Sequence, residues 1–276
     1  MKTLLRLVLT SVSFLLASPA IGQQKIVYGS NNGKYLTILN TRIYYEEYGK
    51  GTPLLLLQGG MGGIEDFSLC IPDLSKHFRV IAPDTPGQGR SEMADSLSYQ
   101  VMAEYISRLI DLLKLDSAYV MGWSDGGNTA LILANRRPDK IKKVLTSGAN
   151  YKVSGINVGD TDWLKPLPPD FEIKNKKYVD KYVKMCATPR NIRKVISDLM
   201  KMWAQEIYFP PSVMEGIKVP VMIVLGDRDG VTLEHGIEMH RLIKGSQFCV
   251  LPNTSHRVFH ERADLINEIA IHFFTK

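Results

Sequence analysis

The patterned part of the chain begins with two short strand-like stretches, Tyr35–Leu39 and Arg42–Tyr48. The turn residues Asn40 and Thr41 between them predict a β-hairpin. After YGKGTP the pattern changes, and short, continuous apolar runs alternate with segments of helical period. The runs are Leu54–Leu57, Val80–Ala82, Ala118–Met121, Lys143–Thr146, Val219–Leu225 and Phe248–Leu251. Helical spacing appears over Tyr99–Leu113, Gly127–Asn135 and the closing ADLINEIAIHFF. Apolar strands separated by helices predict an α/β fold, a mostly parallel doubly wound sheet with helices on both faces.

One interval breaks this rhythm. Residues 151–218 contain no convincing strand, and after a Pro-rich lead-in (LKPLPPD) the spacing predicts helices over Lys177–Cys186 and Asn191–Gln205. The Met, Trp and Tyr content is too apolar for a linker. The interval is therefore expected to be a small helical cap inserted between two strands, with residues 23–150 and 219–276 forming the two parts of one core.

The N-terminus belongs to neither. Lys2 and Arg6 precede a short apolar run, Leu7–Ala17, and Ala20-Ile21-Gly22 places small residues where a signal peptidase reads them. Residues 1–22 are expected to be a cleaved signal peptide, since the apolar run is too short to span a membrane. The mature protein is then secreted or periplasmic, with no stable membrane insertion. Cleavage removes two cations from a net charge of +6, and the remainder is dispersed, which argues against a nucleic-acid partner. The main basic cluster, KNKKY at 174–178, reads as a solvated helix face. Cys70, Cys186 and Cys249 are odd in number without metal-like spacing, and neither CxxC nor HExxH occurs, so no metal is expected.

The candidate chemistry centres on Gly122-Trp123-Ser124-Asp125-Gly126. G-x-S-x-G alone would arise by chance in roughly one chain of this length in ten at average residue frequencies. Here it follows the apolar strand AYVM and opens the helix GGNTALILAN, the strand–turn–helix setting of a nucleophile elbow. Such a turn strains the serine backbone and lifts its hydroxyl above the sheet edge, while small residues at 122 and 126 admit neighbouring backbone. The helix start beneath offers N–H groups to a developing oxyanion.

A serine nucleophile needs a base and the base an orienting acid, in the chain order Ser, acid, His. VPVMIVLGDRDG and QFCVLPNTSHRVFH each read as a buried strand followed by a turn or loop, and they supply Asp229 and His256 at carboxyl ends of strands. Asp227 is the competing acid, but it lies nearer the strand, where it would cap the turn. His260 is expected to be a surface or packing residue, and His77, His235, His240 and His272 have no partner motif. The backbone N–H groups of Asp125 and Gly60, with Met61 as neighbour in QGGMGG, are the candidate oxyanion donors. DTPGQGRS, Asp84–Ser91, lacks the phosphate-loop pattern and reads as a tight structural loop near the site floor.

Taken together, QGG after the third strand, DTPGQGRS, the elbow, GDRD and the final His loop resemble the α/β-hydrolase superfamily over nearly the whole chain after the leader. GWSDGG followed by SGAN looks most like its biphenyl-hydrolase-like, or valacyclovir-hydrolase-like, group of small-ester hydrolases. The resemblance implies that Asp125 meets a substrate amino group; the expectation from helix chemistry, which we favour, is that it caps the helix start. One departure is Gln58-Gly59, where many members have His-Gly.

The expected protein is a serine hydrolase of small carboxylic esters, with Ser124, His256 and Asp229 as its triad and no cofactor. Trp123, Trp163 and Trp203 are expected to line the substrate pocket with Asp125, and Tyr178 and Tyr182 to complete the cap side. Serine at the elbow argues against a dehalogenase, and the absence of HGGPG argues against an iminopeptidase. Lactone, amide or carbon–carbon bond hydrolysis on the same triad stays open, as does a non-catalytic ligand-binding member of the fold.

Overall fold

The computed structural model describes residues 25–157, 167–186 and 191–276. The expected leader and Trp163 lie outside the described residues. The first half runs through β1 (Lys34–Ile38), β2 (Thr41–Tyr48), β3 (Pro53–Leu57), α1 (Ile71–Leu74), β4 (Arg79–Pro83), α2 (Tyr99–Leu112), β5 (Ala118–Trp123), α3 (Asp125–Arg136) and β6 (Ile141–Ser147). Among the described residues four α-helices follow, α4 (Phe171–Lys174), α5 (Lys176–Met185), α6 (Ile192–Trp203) and α7 (Pro211–Glu215). The chain closes with β7 (Val221–Arg228), α8 (Leu233–Leu242), β8 (Gln247–Ser255), α9 (Val258–Glu261) and α10 (Ala263–Thr275).

The strands form one eight-stranded sheet in the order β1-β2-β4-β3-β5-β6-β7-β8. The β1–β2 and β2–β4 pairs are antiparallel, and every pair from β4 to β8 is parallel. The continuous apolar runs have a plain cause in the strand period of two. Leu55 and Leu57 join Val120 and Ile223 in a core with α2, α3 and α8. Leu54 and Leu56 point the other way, toward Phe67, Phe259, Ile266 and Phe274 of the opposite layer. Each such leucine contributes about 1.5–3 kcal/mol by leaving water, so neither face of β3 tolerates a polar residue.

Side chains start three of the longer helices, where the backbone lacks partners. Ser98 Oγ accepts from Val101 N (3.1 Å) before α2, Asn191 Oδ1 from Lys194 N (3.1 Å) before α6, and Thr232 Oγ1 from His235 N (3.2 Å) before α8. Between β6 and β7 the described residues form helices and two isolated bridges, Lys152 with Ile207 and Ile156 with Val231. The apolar face of α6 (Val195, Ile196, Leu199, Met202) is buried against the same core as α2 and α3. Tyr182 of α5 donates to Gly87 O (2.7 Å), and Gln100 of α2 donates to Tyr208 O (2.9 Å). The 174–178 cluster is exposed, with Lys174 paired to Asp170 and Lys176 to Asp180.

The hairpin turn differs from its expected position. Thr41 pairs with Ile38 inside the ladder, so the two turn residues are Leu39 (φ 47°) and Asn40 (φ 63°). Both central residues with positive φ match the twist of the flanking strands. A half-exposed leucine in the left-handed region is strained, because its Cβ crowds the following carbonyl. Leu39→Gly is predicted to raise stability by about 0.5–1 kcal/mol, read as a higher thermal midpoint; a lower midpoint would show that the leucine contributes contacts that outweigh its strain.

Candidate active site

Ser124 stands at the junction of β5 and α3 with φ 53° and ψ −116°, a backbone conformation that a side-chain-bearing residue rarely adopts. Two glycines make the turn feasible. A Cβ on Gly122 would lie 2.4 Å from Gly126 O, and one on Gly126 would lie 2.0 Å from Leu57 O. Ser124 N donates to Ser147 O (2.8 Å) and Asn128 N to Ser124 O (3.0 Å), so the turn is pinned to β6 on one side and to its own helix on the other. The serine is thus forced up at the carboxyl end of the central strands.

His256 follows the last residue of β8, and Asp229 the last residue of β7. Asp229 Oδ1 lies 2.7 Å from His256 Nδ1 and also accepts from Val231 N (2.9 Å). This pairing puts the imidazole proton on Nδ1 and leaves Nε2 as the acceptor. Burial lowers the His256 pKa, but the hydrogen bond and charge of Asp229, with a further contribution from Asp125, outweigh it and hold the pKa above its ordinary value. Asp227 faces away and accepts from Thr254 N (2.9 Å), fastening the β8 end as a turn cap.

Behind the histidine, Gly148 (φ 63°) leaves room for the ring: a Cβ there would lie 2.6 Å from His256 Cε1. The sequence carried only a faint signal for it, a glycine directly after an apolar strand in SGAN. Trp123 does not line the Ser124 cavity. Its Nε1 donates to His256 O (2.7 Å) and its ring packs 5.7 Å from the His256 ring, so it braces the histidine loop from the opposite face of β5. His260 packs against the same indole, 5.6 Å away, and lies 3.7 Å from Asp66. His235 is a buried packing residue, stacked on Tyr151 and held low, to about 4, by burial.

The loop after β3 approaches the elbow closely, a Cβ on Gly59 being 3.3 Å from Ser124 Cβ. Met61 has φ 62°, which bends the chain there. Asp125 occupies the first helical position, where a backbone N–H has no partner within the helix. Gln58 is buried and braces this loop: its amide nitrogen donates to Pro83 O (2.9 Å), and its oxygen accepts from Thr85 N (2.8 Å) and Thr85 Oγ1 (2.9 Å). Glutamine therefore supplies a bridge to the Asp84–Ser91 loop. That loop is structural, with Asp84 accepting from Ile64 N (3.0 Å), Arg90 N (2.8 Å) and the Tyr28 hydroxyl.

The Asp125 side chain overturns the capping expectation. It makes no cap bond; it accepts from Tyr99 Oη (2.8 Å) and from Trp203 Nε1, which lies 3.0 Å from Oδ1 and 2.9 Å from Oδ2. Burial pushes its carboxyl up to about 6 against the pull of those hydrogen bonds. Ser124, His256, Asp125, Gly60 and Trp203 line one cavity of about 470 Å³, together with Tyr99, Asn150, Ile156, Tyr208, Arg228 and Val231. Tyr178 and Tyr182 line a neighbouring cavity instead. Tyr99, Tyr208 and Arg228 were not singled out by the sequence. Among the described residues no cluster of three or more His, Cys, Asp or Glu is placed to hold a metal, and no helix is long and apolar enough to cross a membrane.

A strained serine at a strand-to-helix elbow, on a mostly parallel sheet, defines the class. Residues 52–205 match the alpha/beta hydrolase fold family, and the chain belongs to it. The chain is 26% identical over 285 residues to the serine hydrolase BPHL of Homo sapiens, covering 98% of this chain and 95% of that one. It is also 26% identical over 235 residues to a pimeloyl-(acyl-carrier protein) methyl ester esterase of Neisseria meningitidis, covering 76% and 72% of the two chains. In architecture it is similar to a meta-cleavage product hydrolase of Pseudomonas fluorescens, with a TM-score of 0.74 at 22% identity, covering 88% of this chain and 97% of that one.

Gly148→Ala tests how tightly the histidine is seated. The added methyl overlaps the His256 ring, and a displacement near 1 Å costs on the order of 100-fold in rate. We predict a fall of that order in kcat/KM for an ester substrate; unchanged kcat/KM would show that the ring does not need this space.

Proposed function

We propose that the protein is a serine hydrolase that cleaves small carboxylic esters through an acyl-enzyme. The observation that carries this reading is the strained Ser124, in one cavity with a His256 whose Nδ1 is held by Asp229 at 2.7 Å. Ser124 Oγ attacks the ester carbonyl carbon while His256 Nε2 takes the hydroxyl proton. The carbonyl oxygen becomes an oxyanion, facing the backbone N–H groups of Asp125 and of Gly60, with Met61 beside it. Collapse expels the alcohol, which receives the proton from His256. Water then attacks the acyl carbon, gives a proton to His256 and releases the acid with Ser124 restored. Every proton is carried by His256, so the sequence of steps calls on no cofactor.

The cavity volume and its apolar lining by Trp203, Ile156 and Val231 suit a small substrate. The similarity to a serine hydrolase and to a methyl ester esterase supports the ester reading. The leader-like residues 1–22 support placing the mature enzyme outside the cytoplasm.

Incubation with a fluorophosphonate probe tests the reading. The wild type is predicted to take one covalent label and Ser124→Ala none; equal labelling, or none on the wild type, would overturn it. The pH profile gives a second check. His256 must be neutral to act as base, and its pKa is raised, so the acidic limb of kcat/KM is predicted above the ordinary histidine value of about 6.5. Asp229→Asn is predicted to move that limb to lower pH and reduce kcat by about 10⁴. A limb that stays put in the variant would remove Asp229 from the triad.

A further inference from the structure

Asp125 is 4% exposed, and its acceptors are already engaged by residues from two separate parts of the chain. Tyr99 donates to Oδ1 from the first turn of α2, and the Trp203 indole bridges both oxygens from the last turn of α6. The two donors are themselves coupled. Tyr208 Oη donates to Trp203 O (2.7 Å), the Tyr99 and Tyr208 rings lie 5.1 Å apart, and Gln100 Nε2 donates to Tyr208 O (2.9 Å). The oxyanion loop closes the remaining side. A Cβ on Gly60 would lie 2.3 Å from Trp203 Cζ2 and 2.6 Å from Asp125 Oδ2, so only glycine fits between loop, carboxylate and indole.

This enclosure has a consequence for substrates. A carboxylate offers about four lone-pair sites; Tyr99 and Trp203 make three hydrogen bonds to this one, and Gly60 packs so close to Oδ2 that a methyl group would not fit between them. An ammonium ion pairing with Asp125 would compete with the indole N–H, which already engages both oxygens. The same cavity is also lined by Arg228, which is exposed and makes no ion pair with a described residue. A cation approaching the carboxylate therefore meets both a blocked acceptor and a like charge.

We propose that Asp125 is a positioning residue that ties α6 to the nucleophile turn through Trp203 and Tyr99, and that this commitment makes the cavity select esters with an uncharged acyl arm over α-amino esters. The inference rests on the serine-hydrolase reading above. It assigns Trp203 and Tyr99 to specificity: they hold a charge inside the site and keep it from substrate.

Paired substrates of nearly equal size test it, p-nitrophenyl butanoate and p-nitrophenyl 2-aminobutanoate at neutral pH. Wild-type kcat/KM is predicted to favour the butanoate by about tenfold or more, equivalent to about 1.4 kcal/mol. Trp203→Phe removes the bridging donor and is predicted to shift the ratio toward the amino ester by a similar factor. Tyr99→Phe, which removes one donor and keeps the ring, is predicted to shift it less in the same direction. Adding Asp125→Asn to Trp203→Phe is predicted to abolish the gain. A structural weakening would lower both esters alike and leave the ratio fixed, which would overturn the assignment. So would a wild type that prefers the amino ester and loses that preference in Asp125→Asn. Fluorophosphonate labelling of the same preparations separates the two levels: labelled protein with the wrong ratio sinks this inference alone, whereas unlabelled protein sinks the hydrolase reading beneath it.

Discussion

Backbone-to-backbone contact at the elbow is the constraint on which the site depends. Ser124 sits at φ 53° and ψ −116°, a conformation that costs on the order of 1–3 kcal/mol and persists only where its surroundings over-determine it. Those surroundings are Gly122 against Gly126 O and Gly126 against Leu57 O, each too close for a side chain. The turn is held from beneath by β3, whose four leucines are buried between two helical layers. The stability of the sheet centre is therefore what maintains the serine in its strained position.

The same close approach sets everything around it. Because α3 begins directly over the end of β3, the loop after Leu57 must run past Ser124, and Gln58 fixes that loop by bridging to Pro83 and Thr85. His256 and Asp229 arrive from the ends of β8 and β7, adjacent parallel strands whose register shifts after Gly226 so that Arg228 pairs with Ser255, which explains how residues 27 positions apart meet at 2.7 Å. Gly148 then clears space for the ring from the end of β6. Four neighbouring strand ends thus bring together Ser124, the ring's clearance, Asp229 and His256, the residues to which the proposed mechanism gives the roles of nucleophile, acid and base.

Much of this was legible in the sequence because its signals are local. Strands apolar on both faces, glycines flanking a serine, and a Ser–acid–His order each leave a mark within a few residues. What escaped depends on tertiary contact or on a shift of one or two residues. Trp123 reads as a pocket residue only if β5 stops at Met121. The strand continues to Trp123, and a period of two then sends its ring to the same face as Met121, behind His256. Asp125 reads as a helix cap because aspartate suits helix starts. Its actual partners, Tyr99 and Trp203, lie 26 and 78 residues away and carry no local signature. The hairpin turn slid from Asn40-Thr41 to Leu39-Asn40 because ladder register, not residue preference, fixed it.

The central claim is that Ser124 becomes covalently acylated. Mass spectrometry of the intact protein and its peptides, after rapid acid quench of a reaction with p-nitrophenyl acetate, tests it most directly. The account predicts one acetyl group per chain, on the peptide containing Ser124 and absent from Ser124→Ala. Ester turnover that continues in Ser124→Ala, or an acetyl group carried only elsewhere, would contradict it.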